Sequence, residues 1–290
     1  MTHVTLCSSQ LTVEIAHIGA ELQTLRDARD REYLHDGSSF WSGRAPLLFP
    51  IVGALKDNRH PVGGADYELP KHGFARHSTF DVIEATPETA VFRLGDSQGS
   101  RAHYPYGFRL DVAYELSGAR LTTTATVANA DDEPIPVAFG FHPAFRWPLP
   151  GGEPRLDHVI EFAEAEPAPI ARIDADGLIA RREPSPVEGR RLALSEALFE
   201  DDALIFLEPK SRSLRYGPAA GGSPSLRIDF PDMPQLGIWT KPGGAPFLCI
   251  EPWSGYASPA GFAGPLMEKP GSLVLAPGET RPFQMSIELI

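Results

Sequence analysis

Cysteine, positive charge and long apolar runs are all scarce in this sequence. Cys7 and Cys249 are its only two cysteines in 290 residues, so nothing resembles a disulfide framework or a zinc motif. Asp and Glu number 38 against 26 Lys and Arg, a formal net charge of −12, which argues against nucleic acid or an anionic membrane as a partner. No apolar run is long enough to span a membrane, and the N-terminus lacks a signal-peptide pattern. We therefore expect a soluble, cytoplasmic protein.

Helical patterns are equally sparse, because 29 prolines and 27 glycines are scattered along the chain and favour turns. The clearest hairpin joins an alternating strand at residues 108–116 to a threonine-rich strand at 121–127. Other strands are predicted at residues 4–7, 11–15, 79–85, 89–94, 158–162, 203–207, 225–230, 236–240, 247–250 and 284–289. The pattern predicts a mainly antiparallel all-β fold with few short helices.

No repeat or linker divides the chain, so residues 1–290 are predicted to form a single domain. Residues 163–191 are rich in Ala, Glu, Pro and Arg and are predicted to be a surface excursion. Within that stretch, residues 174–177 superficially resemble a calcium loop but lack its remaining ligands, which predicts a turn. One helical turn is expected at residues 195–199, with Ser195 as its cap.

Two segments each place a titratable residue after a buried apolar run and before a proline. Residues 247–250 read as a fully buried strand that Pro252 is expected to end, with Glu251 at its terminus. His142 follows the apolar run 137–141 in the same way and precedes Pro143. Taken singly, a solvated strand-end Glu and a core His are the commoner readings. Together they predict an acid–base pair in one pocket, since burial raises the pKa of a carboxyl group.

The segment 46–80 carries basic residues between apolar anchors, where binding residues concentrate. Arg59 and Arg76 offer forked donors for hydroxyl, carboxylate or phosphate groups, although two solvated surface arginines would look the same. His72, before a glycine, is a further donor or a turn residue. Flat aromatic rings suit the C–H faces of sugars, and Trp147, Trp239, Trp253 and Tyr256 lie near predicted strand ends; Trp253 is the one most expected to line a site.

Four motifs occur here in the order that they have in the aldose 1-epimerase (galactose mutarotase) family. The chain most resembles the bacterial galactose-mutarotase-like branch, over practically its whole length. The motifs are Leu48-Phe49-Pro50-Ile51-Val52-Gly53, His72-Gly73-Phe74-Ala75-Arg76, Gly140-Phe141-His142-Pro143-Ala144-Phe145 and Cys249-Ile250-Glu251-Pro252-Trp253.

The resemblance implies a β-supersandwich, no metal, no organic cofactor and interconversion of the α and β anomers of a free aldose. It makes His142 the general acid and Glu251 the general base. For mutarotation, one acid and one base on opposite sides of the sugar ring suffice. It also implies that Arg59 and His72 bind the sugar. A contacting aspartate is assigned to Asp202, and Arg76 matches the family motif with either a binding or a structural role.

Three alternatives stay open at this point. A hexose-6-phosphate mutarotase would need a cationic pocket, which Arg59, Arg76 and Lys71 could supply. A non-catalytic sugar-binding or sensing protein could share the fold, although it would not need both His142 and Glu251. A glycosidase ranks last, because no second carboxylate has comparable support. The expected partner is a small sugar, and the oligomeric state, monomer or homodimer, is open.

Overall fold

The computed structural model describes residues 2–221 and 224–290, and antiparallel sheets dominate it. The largest sheet has nine strands. In spatial order they are β17 (Arg191–Ala193), β14 (His158–Phe162), β19 (Ser213–Pro218), β20 (Leu226–Asp229), β24 (Thr280–Leu289), β10 (Arg120–Asn129), β9 (Phe108–Ser117), β8 (Thr89–Gly95) and β7 (Asp81–Ala85).

A second sheet carries the candidate site. Its strands, in spatial order, are β16 (Ile179–Glu183), β15 (Ile170–Ile173), β18 (Leu204–Phe206), β21 (Gln235–Trp239), β22 (Phe247–Ser254), β12 (Phe139–Phe141) and β4 (Leu47–Leu48), and β13 (Ala144–Arg146) also pairs with β22. The central position of β22 explains why all eight of its residues are buried.

Smaller elements complete the described chain. They are the sheet of β1 (His3–Cys7), β2 (Leu11–Ala16) and β3 (Leu22–Asp27), the pairs β5 (Arg59–Val62) with β6 (Ala65–Glu68) and β11 (Ile135–Val137) with β23 (Leu273–Leu275), the helix α1 (Gln98–Arg101), and 3-10 turns at Lys56–Asn58, Ala75–His77, Arg155–Asp157, Glu196–Phe199 and Leu266–Glu268. No helix in the described residues is long and apolar enough to cross a membrane.

The structure confirms the all-β prediction and the individual strands, including the β9–β10 hairpin. The turn at residues 174–177 is also confirmed, because the Asp174 carboxylate accepts the N–H groups of Asp176 and Leu178. Ser195 precedes the predicted helical turn, but its side chain makes no capping hydrogen bond.

Two sequence predictions were wrong. Residues 163–191 are not only a surface excursion, because they supply β15 and β16 to the second sheet. Pro252 does not end its strand, which continues to Ser254. The N–H of Ile250 donates to Pro143, and residues two apart in a strand direct their N–H the same way. The nitrogen of Pro252 therefore faces the interruption between β12 and β13, where no ladder bond needs a donor.

Side chains along β22 point alternately to the hydrophobic core and to the candidate site. Leu248 and Ile250 join a continuous hydrophobic cluster that includes Leu110 and Ile287 of the nine-stranded sheet. The intervening residues, Cys249, Glu251 and Trp253, point to the opposite face because strand side chains alternate. The core therefore lies between the two sheets, and the outer face of the second sheet is left for the site.

Two glycines make room for the Trp253 indole on that outer face. A Cβ on Gly237 would lie 2.4 Å from the ring, and one on Gly140 would lie 2.7 Å from it. Gly237 is on β21 and Gly140 on β12, the two neighbours of β22. The indole is thereby held flat across three strands.

Replacing Gly237 with alanine is expected to lower the free energy of unfolding by about 1–3 kcal/mol, the usual cost of overpacking. Urea denaturation followed by tryptophan fluorescence would measure this loss. Gly95→Ala is the matched control, because Gly95 is also a strand residue and nothing lies within 4 Å of the added Cβ. Equal stability of the two variants would show that the indole is not confined by Gly237.

Candidate active site

A pocket of about 220 Å³ opens on the outer face of the second sheet. This is smaller than the ~300 Å³ at which pockets for drug-sized ligands begin, so the pocket suits a small polar ligand. Its walls are Trp41, Val52, Gly53, Lys71, His72, Arg76, His142, Ile173, Gly177, Asp202, Ala203, Ile205, Trp239, Glu251, Trp253 and Ala257. The pocket thus combines aromatic walls with both anionic and cationic side chains.

His142 and Glu251 meet at the base of this pocket, with His142 Nε2 3.1 Å from Glu251 Oε2. Strand β22 keeps one register with β12 and β13, in which Gly140 is opposite Trp253 and Ala144 is opposite Cys249. Continued across the interruption, that register puts His142 directly opposite Glu251. The two side chains therefore share a face, as cross-strand partners do.

Burial shifts the pKa values of His142 and Glu251 in opposite directions. It lowers the pKa of His142 to about 3, helped by the charges of Lys71 and Arg76. Burial also raises the pKa of Glu251 well above 4.5, and the nearby Asp202 adds to the rise while Lys71 opposes it. Both shifts disfavour the charged forms, because burial removes the water that stabilises a charge. Such a pair titrates as a unit.

His72 is held as a hydrogen-bond donor towards the pocket. It has a left-handed backbone, φ +70°, and its Nδ1 accepts the N–H of Gly53 at 3.1 Å. Burial lowers the pKa of His72, so the ring is neutral and its proton lies on Nε2. The His72 and His142 rings are 5.8 Å apart and nearly perpendicular. Since Gly53 also has a positive φ of +75°, this contact depends on a tight backbone turn at both ends.

Three further predicted residues line the pocket: Arg76, Asp202 and Trp253. Arg76 donates through Nη2 to the Lys71 carbonyl at 3.1 Å, while its buried Nε has no hydrogen-bond partner in the described structure. The indole N–H of Trp253 is also buried and without a bond there, although it lies near enough to favour ionised Glu251. These donors are suited to oxygen atoms of a ligand.

Arg59 is the predicted binding residue that the structure does not bring into the pocket. Its side chain is half exposed, and Nη1 lies 3.6 Å from Asp66 across the β5–β6 hairpin. Arg76, the other arginine predicted from the sequence, is the one that lines the pocket. Of the other aromatics considered, Trp239 lines the pocket, whereas Trp147 is fully buried beneath Arg155.

Sequence reasoning missed Trp41 altogether. Its ring lies 5.0 Å from the His142 ring at an interplanar angle of 31°, and it meets Trp239 edge to face at 5.8 Å. The only signal was an aromatic pair, Phe40 and Trp41, inside a glycine- and serine-rich segment. Ile173 and Gly177 were also missed, because they belong to the stretch read as a surface excursion.

One set of residues near the base of the pocket has the atom types of a metal site. The ligand atoms of His142, Cys249 and Glu251 lie within 4.8 Å of one another, and all three residues are buried. Cys249 is covered by Trp41 and Trp239 and does not itself line the pocket.

Comparisons with known proteins find relatives that match practically the whole chain. The model of the family described as aldose 1-epimerase matches residues 2–288. The chromosomal protein LacX of Lactococcus lactis subsp. lactis is 31% identical over 297 residues, covering 99% of both chains. The galactose mutarotase related enzyme of Lactobacillus acidophilus superimposes with a TM-score of 0.94 at 31% identity, covering 100% of this chain and 97% of that one. A galactose mutarotase-like protein of Lactobacillus casei gives 0.90 at 28%, with both chains fully covered.

Proposed function

Because the chain belongs to the aldose 1-epimerase family, we propose that it is a mutarotase, which interconverts the α and β anomers of an aldose. The observation that carries the proposal is the direct contact of His142 with Glu251 at the base of a sugar-sized pocket. Mutarotation needs one proton removed from the C1 hydroxyl and one delivered to the ring oxygen, and then the reverse.

The contact changes one detail of the mechanism expected from sequence, in which acid and base stand on opposite sides of the ring. The C1 hydroxyl and the ring oxygen are both bonded to C1, so they are close neighbours. An imidazole and a carboxyl group 3.1 Å apart can each reach one of them from the same side. In the reactive form the titratable proton of the pair lies on His142 and Glu251 is ionised. Glu251 then takes the hydroxyl proton, His142 gives its proton to the ring oxygen, and the C1–O bond to the ring opens.

Glu251 gains one proton and His142 loses one, so the pair begins and ends each half-reaction with the same net charge. After ring opening, the C1–C2 bond rotates and the carbonyl presents its other face. Glu251 then returns its proton to the carbonyl oxygen, and His142 recovers the proton of the attacking hydroxyl. His72, with its Nε2 proton, and Asp202 are proposed to hold sugar hydroxyls, and Trp253 to face the C–H surface of the ring.

A phosphorylated aldose is the second candidate substrate. Lys71 and Arg76 both line the pocket, and the buried Nε of Arg76 has no partner in the described residues. A phosphate group would supply acceptors for both cations. Asp202 at the same pocket favours neutral hydroxyls instead, so the two substrates differ in which side of the pocket they use.

The proposal is tested by adding the protein to freshly dissolved α-glucose, α-galactose and their 6-phosphates at low buffer concentration. We expect the approach to anomeric equilibrium to be accelerated for at least one of these, measured by polarimetry and by NMR exchange between anomers. Faster relaxation of the 6-phosphates alone would select the second candidate. Sugar binding without acceleration of any anomer would contradict the mutarotase proposal and leave a sugar-binding protein.

A further inference from the structure

The three buried residues at the base of the pocket form a ligand set that mutarotation does not need. Cys249 and Glu251 are two positions apart on β22, so their side chains share one face. His142 is the cross-strand partner of Glu251. The fold therefore brings an imidazole nitrogen, a thiol sulfur and a carboxylate oxygen to within 4.8 Å of one another.

The geometry suits a tetrahedral ion. Zinc binds imidazole and carboxylate at about 2.0–2.2 Å and thiolate at about 2.3 Å, so two adjacent ligands lie a little over 3 Å apart. His142 Nε2 and Glu251 Oε2 already have such a separation, 3.1 Å. Cys249 Sγ lies within 4.8 Å of both ligand atoms, so it has to move closer by at most about 1.5 Å. His142 and Glu251 line the pocket, so the fourth coordination position of the ion faces the pocket and is left open.

The atom types discriminate between metals. Soft thiolate and imidazole ligands favour Zn²⁺ and its neighbours, whereas Mg²⁺ and Ca²⁺ take oxygen ligands. A thiolate and a carboxylate neutralise the two charges of the ion, and Asp202 lies nearby. Lys71 and Arg76 are the cations facing the site and oppose binding.

The geometry points to a zinc site formed by His142, Cys249 and Glu251, at which Zn²⁺ inhibits the protein by occupying its acid–base pair. Binding displaces the thiol proton of Cys249 and the proton shared by His142 and Glu251, because metal ligands must be deprotonated. The inhibition rests on the proposed mutarotase function, but the binding itself does not.

Binding is tested with Co²⁺ as a spectroscopic probe and Zn²⁺ as its competitor, on the full chain. We expect a thiolate-to-cobalt charge-transfer band in the wild type that Zn²⁺ removes. Cys249→Ala should lack the band and bind Zn²⁺ more than about 100-fold more weakly, since even the partners of ligands are worth 10–100-fold. Cys249→Ser is a second variant should the alanine protein fail to fold. Cys7→Ser is the matched control, because Cys7 is the exposed free cysteine.

Inhibition is tested by mutarotation rates over a range of Zn²⁺ and sugar concentrations. Wild type and Cys7→Ser should show inhibition that sugar relieves, and Mg²⁺ should have no effect. Cys249→Ala should keep its activity and resist Zn²⁺. Equal Zn²⁺ affinity in Cys249→Ala and wild type would overturn the site. A charge-transfer band in a protein without mutarotation would support the site while contradicting the proposed function.

Discussion

Replacing Glu251 with glutamine is expected to lower kcat/KM for mutarotation by about 10³–10⁴-fold, the upper range for loss of a general base. Glutamine keeps the size and hydrogen bonding of the side chain but does not accept a proton from the C1 hydroxyl. Sugar affinity, measured by calorimetry, should change only a few-fold, because His72, Asp202 and Arg76 stay in place. The rates are to be compared at low buffer concentration, where spontaneous mutarotation is slowest.

Stability supplies an independent readout for the same variant. The pKa of Glu251 is raised in the folded protein, so its stabilising contribution is complete below the unfolded value of 4.5 and is lost as pH rises through the folded value. Glutamine does not titrate, so the variant should gain stability over the wild type as pH rises above 4.5. Glu208→Gln, at an exposed carboxylate, is the control. Equal loss of sugar binding and of folding in Glu251→Gln would instead assign Glu251 a structural role.

The second large effect is expected from His142→Asn, which should reduce kcat/KM by about 10²–10⁴-fold. Asparagine can still donate a hydrogen bond to the ring oxygen, but it does not deliver a proton. In the wild type the active species is the pair with one proton. Addition of a second proton to the pair at low pH removes the base, and loss of its one titratable proton at high pH removes the acid.

The wild-type pH profile should therefore be bell-shaped, with an alkaline limb that reflects the raised pKa of Glu251. The charged neighbours that act on the pair are Lys71, Arg76 and Asp202, and the neutral ring of His72 packs beside His142. His142→Asn should also lose less stability than the wild type as pH falls below 6.5. Below that pH an unfolded histidine binds a proton, whereas the folded state, in which the pKa of His142 is lowered, does not, so His142 lowers the free energy of unfolding of the wild type. His3→Asn, at an exposed strand position, is the control. Full activity in His142→Asn would contradict its assignment as the acid.

Most of the candidate site residues could be predicted from short sequence patterns. Both His142 and Glu251 lie between an apolar run and a proline. This pattern indicates a functional residue, because burying a polar group at the end of an apolar strand costs free energy. The His-Gly motif located His72 and Arg76 for a similar reason, as a turn between apolar anchors. These patterns involve only neighbouring residues, and in the folded chain the residues that they identify line the pocket.

The errors have a common origin in long-range pairing. Pro252 was expected to stop its strand, since proline lacks the N–H that a ladder needs. The strand continues because the neighbouring chain is itself interrupted at His142-Pro143. Residues 163–191 read as loop because β15 and β16 are short, and β16 is exposed, so neither carries a strong apolar pattern.

The all-β class and the two residues proposed for proton transfer could be predicted from the sequence, because alternation and apolar runs are properties of neighbouring residues. The family was recognised from the order of four short motifs. Three features required the folded chain: the contact of His142 with Glu251, the entry of Arg76 and Trp41 into the pocket while Arg59 stays outside, and the position of Cys249 beside the pair. These features depend on strand register, because the residues that face one another across two strands are set by hydrogen bonds between segments more than a hundred residues apart.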